Sequence, residues 1–180
     1  MAAKDIVLLG AVGFGLYLWS QQSQANVGAA VTGDTTGGFS NLLQDVIMGN
    51  TRGERNNNPG NLMWNAGIAW QGQTGQDSGG YAIFDTPEDG LRAMMIDLKN
   101  KIARGLNTLA TLIPVYAPPS DNPTATYISN VSAWSGIDPN QTLAASDVPN
   151  VATAMIQMEN GEQPYAASLI AQAASDAGVA

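Results

Sequence analysis

Arg52-Gly-Glu-Arg-Asn-Asn-Asn-Pro-Gly-Asn-Leu62 carries three consecutive asparagines ahead of Pro-Gly, a combination that suits neither a helix interior nor a strand. Asn tolerates left-handed backbone and carries both an amide donor and a carbonyl acceptor. Asn56, Asn57 and Asn58 are therefore expected either to lay polar groups along a groove wall, as a sugar would need, or to close a loop that caps the next element.

Outward from this loop, the chain reads as several helices around one hairpin. Tyr81-Ala-Ile-Phe84 alternates as a strand does, after a Gly- and Gln-rich stretch from Ile68 to Gly80. Thr86-Pro-Glu-Asp has the form of a helix start, with Thr86 as cap and Pro87 in the first turn. The helix is predicted to run to Ala103 with Leu91, Met94, Met95, Leu98 and Ile102 on its apolar face. Further helices are predicted over 108–116, interrupted by Pro114, over 123–135 with Gly136 as stop, and over 149–158. An alanine-rich helix over 166–177 is expected only to lean on the domain. Leu42, Leu43, Val46 and Ile47 recur at helical spacing between the Ser40 cap and Gly49.

Ahead of the domain, residues 6–19 read Ile-Val-Leu-Leu-Gly-Ala-Val-Gly-Phe-Gly-Leu-Tyr-Leu-Trp. Fourteen residues of helix cover about 21 Å, short of a hydrocarbon core of about 30 Å. A signal peptide ending near Ala25, a retained membrane anchor and an apolar helix buried in an assembly all fit, and the retained helix is the reading adopted. The predicted organisation is an apolar helix in 1–20, a flexible linker in 21–38, a folded domain in 39–166 and an Ala-rich helix or tail in 167–180.

The chain has 180 residues and no Cys or His, which removes disulfides, thiol nucleophiles, thiolate metal sites and the usual general base. Catalysis, if present, rests on carboxylates, and glycan cleavage is a chemistry that needs only these. No metal or cofactor is expected. A net charge of −8 with seven basic residues disfavours nucleic acid as a partner. Four of the seven, Arg92, Lys99, Lys101 and Arg104, lie in one helical stretch, either as a solvated face or as a contact for an anionic polymer or partner subunit.

The stretch 52–62 also resembles the opening motif of a family of bacteriophage and prophage virion proteins with a lysozyme-like, peptidoglycan-directed domain. The resemblance continues through Trp70-Gln-Gly-Gln, Tyr81 to Ala93, Tyr116 to Tyr127 and Glu159-Asn-Gly-Glu-Gln-Pro-Tyr165, and so covers roughly residues 50 to 166. It implies an α+β, mainly helical, lysozyme-like fold with a small β-hairpin. It also implies a place in the virion, with peptidoglycan and other virion proteins as partners and glycan cleavage during genome entry as the activity. A non-catalytic structural virion protein that keeps the fold is the alternative, and a host glycan-binding module is a third.

Glu54, with Asn58-Pro59 after it, is similar to the Glu-x-x-x-Asn-Pro stretch around the catalytic Glu of lytic transglycosylases, and is the first candidate acid. Glu159 fits the virion family's pattern and is the alternative; Asp85 and Asp121 are weaker candidates that suit turns and caps. Trp64, Trp70, Tyr81, Tyr116 and Tyr127 are candidate platforms for sugar rings, with Asn58, Asn61 and Gln71 as hydrogen-bonding partners, although each also suits a packed core. Membrane contact is expected through residues 6–19, where Gly10, Gly13 and Gly15 also permit self-association into a homo-oligomer within the particle.

Overall fold

A computed structural model describes residues 51–120 and 122–180, all within one unit that spans Asn50–Ala180. The apolar segment 6–19, the linker 21–38, the helix expected over 40–48 and Asp121 lie outside the described residues. Among the described residues no helix is long and apolar enough to cross a membrane.

The order of elements is α1 (Arg52–Arg55), β1 (Gln73–Gln76), β2 (Ala82–Phe84), α2 (Pro87–Ala103), α3 (Leu109–Tyr116), α4 (Thr124–Ser135), a 3-10 turn (Ala145–Asp147), α5 (Val148–Asn160) and α6 (Ala167–Asp176). The described part is thus α+β and mainly helical, with one two-stranded antiparallel sheet. Gln73 pairs with Phe84, Gly75 with Ile83 and Gln76 with Ala82, and a bulge between Gln73 and Gly75 shifts the register.

Helix α5 is the centre of the body. Val148, Val151, Ala152, Ala154, Met155, Ile156 and Met158 form a broad buried face on it, because it packs against α1, α2, α4 and α6 at once. Helix α2 starts as its sequence predicts: the Thr86 hydroxyl accepts the Asp89 N–H at 3.2 Å, and Pro87 occupies the first turn. Leu91, Met94, Met95 and Leu98 are fully buried, whereas Ile102 is half-buried. Helix α4 stops at Gly136, whose φ of 72° is the left-handed conformation glycine adopts without cost.

Two expectations change. Pro114 does not interrupt α3: its ring removes the bond residue 114 would give to the Ala110 carbonyl, but only two residues of helix follow, so little is lost. Helix α6 does more than lean on the domain. Ile170, Ala173, Ala174, Ala177 and Val179 are buried, α6 lies along α2, and Lys99 donates to the Ala177 and Gly178 carbonyls at 3.3 and 3.1 Å while Arg92 reaches the Asp176 carbonyl at 3.4 Å. Two of the four bases grouped on α2 and its C-cap, Arg92 and Lys99, are thereby spent on the end of α6, where cations offset the exposed carbonyls of a helix terminus. Lys101 pairs with Asp97, and Arg104 donates to the Asn100 carbonyl at 3.0 Å.

Candidate functional site

The asparagine loop is built inward. Thr51 caps α1 and forms a capping box with Glu54: the Thr51 hydroxyl accepts the Glu54 N–H at 3.3 Å, and Glu54 Oε2 accepts the Thr51 N–H at 2.8 Å. Asn56 Nδ2 donates to Asp77 at 2.9 Å, and Asn57 Nδ2 donates to the carbonyls of Phe84 and Asp85 at 3.0 and 3.1 Å. Asn58 is completely buried; its amide donates to the Leu62 and Ala82 carbonyls at 2.9 and 2.8 Å, and its carbonyl accepts the Leu62 N–H at 2.8 Å. The main chain joins in, with Phe84 N–H donating to the Asn56 carbonyl and Ala82 N–H to the Leu62 carbonyl, both at 2.9 Å. The three amides stitch residues 56–62 to the hairpin, Asn56 at its turn and Asn57 and Asn58 at β2, where a groove wall was the alternative, and Asn58 is corrected from a sugar contact to a buried structural residue.

Asn61 is placed differently. Its φ of 48° turns the chain back, and its Nδ2 donates to Glu159 Oε2 at 3.0 Å. Tyr127, from the buried face of α4, donates its hydroxyl to Glu159 Oε1 at 2.7 Å. Tyr116, at the end of α3, donates to the Gly60 carbonyl, and the Lys101 ammonium lies 5.8 Å from its ring centre. Loop, α3, α4 and α5 thus bring Asn61, Tyr116 and Tyr127 around one partly buried carboxyl. Asn160, next to Glu159, ties the same loop down: its Nδ2 donates to the carbonyls of Pro59 and Ile156 at 3.0 and 2.9 Å, and its Oδ1 accepts the Thr51 hydroxyl at 2.6 Å.

Burial pushes Glu159 up from the ordinary carboxylate range, against the hydrogen bonds from Asn61 and Tyr127, which favour the anion. Tyr127 and Tyr116 are held well above the usual phenol value, first by burial and then by the Glu159 charge. The Asn61 Oδ1 atom is buried with no hydrogen-bond partner, one of two such side-chain atoms among the described residues. The other is the Tyr165 hydroxyl; burial, with the Glu54 charge nearby, pushes that phenol up to about 12.

The other sequence candidates are dispersed. Glu54 is committed to its capping box. The Tyr81 ring is covered by the Arg52 guanidinium, 4.5 Å from its centre, while Arg52 pairs with Asp77 at 3.4 Å. The 1%-exposed Tyr127 presents no open ring face, which corrects it as a sugar platform, whereas Tyr81 is half-buried with Arg52 over one face. Trp64 is 39% exposed on a loop with Met63 and Ile68, Trp70 is half-buried, and exposed Gln71 donates to Asp89 at 3.3 Å. Asp85 is exposed just before the α2 cap.

Sequence reasoning missed Asp77 and Asn160. Asp77 holds Arg52, Asn56 and the N–H groups of Gly79 and Tyr81 at the hairpin turn. The turn sequence Asp-Ser-Gly-Gly was the available signal for Asp77, and Asn-Gly at a helix end for Asn160. Among the described residues no group of three or more His, Cys, Asp or Glu side chains could hold a metal ion.

No family model matches the chain. The chain is, however, 38% identical to Protein P5 of Pseudoalteromonas phage PM2 over 118 residues, which span 63% of this chain and 74% of that protein. The chain belongs to the Protein P5 family of phage proteins. In this P5-family chain, the residues that meet at Glu159 come from loop, α3, α4 and α5, separated by up to 98 positions in sequence.

Proposed function

We propose that this is a virion-associated phage protein whose described domain has a lysozyme-like role, cutting the glycan strands of peptidoglycan by acid catalysis at Glu159. The observation that carries the reading is the Glu159 carboxyl itself, partly buried, raised in pKa and held at both oxygens. A carboxyl that keeps its proton toward neutrality can donate it to a glycosidic oxygen. The anion left behind meets two donors already in place, Tyr127 and Asn61, which is how a preorganised site stabilises charge as it develops. One acid suits internal attack by a hydroxyl of the sugar, with Glu159 taking back the proton of that hydroxyl. This is the transglycosylase economy, in place of a base-activated water and a second carboxylate. Exposed Trp64 offers a ring face to a sugar.

A second reading is a structural virion protein that keeps the fold without the chemistry. It is favoured by the inward use of Asn56, Asn57 and Asn58, which leaves the loop stitched to its own domain. A zymogram of the full chain on purified peptidoglycan separates the two. Clearing by wild type and by Glu54→Gln but not by a folded Glu159→Gln is the expected result. Clearing that survives Glu159→Gln removes Glu159 from the chemistry, and no clearing by wild type leaves the structural role.

A further inference from the structure

We propose that Tyr127 is a positioning residue for Glu159: from the interior of the helical body its hydroxyl fixes one carboxyl oxygen so that the carboxyl meets a substrate in a single orientation. This rests on the reading of Glu159 as the acid and goes beyond it, since Tyr127 touches no substrate.

The geometry is specific. Tyr127 is 1% exposed and sits on the inner face of α4, where Val131 is buried one helical turn further on. Its ring cannot swing without displacing core, so the 2.7 Å bond from its hydroxyl to Glu159 Oε1 has a rigid origin. The opposite oxygen is held by Asn61 at 3.0 Å from a loop that Asn160 and Tyr116 anchor in turn. The two donors differ in kind. An amide N–H can only donate, whereas a phenol hydroxyl donates to a carboxylate and can rotate to accept from a carboxylic acid. Tyr127 therefore remains a partner on both sides of a proton transfer by donating or accepting, whereas Asn61 Nδ2 only donates, to the anion or to the carbonyl oxygen of the acid. Tyr116, from α3, faces the pair electrostatically, and Asp97 from α2 in turn faces Tyr116, with Lys101 over its ring.

Removing the hydroxyl alone, in Tyr127→Phe, leaves the ring packing and takes one donor from the anion. The titration midpoint of Glu159 then rises, because bonds to a charged acceptor are stronger than bonds to its neutral form. The experiment follows carboxyl carbon shifts of the full chain by NMR across pH, with Glu159 assigned by its loss in Glu159→Gln, alongside the pH profile of peptidoglycan cleavage. The expected result is a higher Glu159 midpoint in Tyr127→Phe, a basic limb of the cleavage profile displaced to higher pH, and a maximal rate about tenfold lower. An unchanged midpoint, or a profile that does not move while the midpoint does, overturns the proposal. If wild type cleaves nothing at any pH, the catalytic reading of Glu159 falls. The positioning role in catalysis falls with it, and the midpoint alone then reports whether Tyr127 grips the carboxyl. Should Tyr127→Phe not fold, replacement of all tyrosines by 3-fluorotyrosine keeps the shape and makes the phenol a stronger donor. The Glu159 midpoint is then expected to move down, and a midpoint that stays put overturns the proposal equally.

Discussion

Asn58 and Asn61 stand three residues apart and are used in opposite ways. Asn58 spends both ends of its amide on backbone groups of the same domain, whereas Asn61 holds Glu159 with one end and leaves the other without a partner. Asn58→Ala removes three buried hydrogen bonds and leaves the Leu62 N–H without its acceptor, so it is expected to lower unfolding stability by about 3 kcal/mol, read from urea denaturation. Asn58→Asp is expected to be no better, since it turns acceptors toward carbonyls. Glu159 makes a prediction of sign. Its folded-state pKa lies above the ordinary value, so the folded state holds the proton longer than the unfolded chain does. Below the ordinary Glu range both states are protonated and nothing is lost. As pH rises from there through the raised folded value, the unfolded chain ionises first and stability falls. Urea midpoints across acid pH should therefore show a decline in wild type that Glu159→Gln lacks, and identical slopes in the two proteins would contradict the raised pKa.

At the level of elements, the contact between α2 and the asparagine loop leaves no room for a side chain. A Cβ on Gly90 would run into the Asn57 carbonyl oxygen and the Pro59 ring. Gly90→Ala gains about 1 kcal/mol of intrinsic helix propensity. It is nonetheless expected to lower the melting temperature, because the loop must move off α2 and strain its bonds to β2. A rise in melting temperature would show that the loop is not seated as described. The caps behave more simply: Thr86→Ala should cost about 1 kcal/mol, as loss of an N-cap does. The helices were legible in sequence because caps, stops and apolar spacing are local signals. The seat of the loop was not, because nothing local distinguishes an Asn that faces a groove from one that bonds the neighbouring strand.

On the scale of the whole molecule, the central α5 is covered by elements from both ends of the described chain, and α6 closes it off. Removal of residues 167–180 uncovers α2 and α5 and takes away the carbonyls held by Lys99 and Arg92. Such a truncation is expected to abolish cooperative thermal unfolding followed by far-UV circular dichroism, and an unshifted transition would restore the view of this segment as a tail. The position of the candidate acid is also a property at this scale, since its partners arrive from the loop, from α4 and, through Gly60, from α3. Glu54 had the better motif in sequence, but its backbone setting spends the carboxylate on Thr51.

What the sequence determined by itself was the exclusion of thiol and imidazole chemistry, the acidic balance, the mainly helical α+β class with its hairpin, and most helix ends. These follow from composition and from interactions that reach no further than about four residues. Only the tertiary structure decided which carboxyl is enclosed, which asparagines are consumed and that the last helix belongs to the core. Burial and hydrogen-bond partnership there are set between Asn61 and Glu159, between Thr51 and Asn160, and between Lys99 and Gly178. Such pairs lie far apart in sequence, and only packing brings them together.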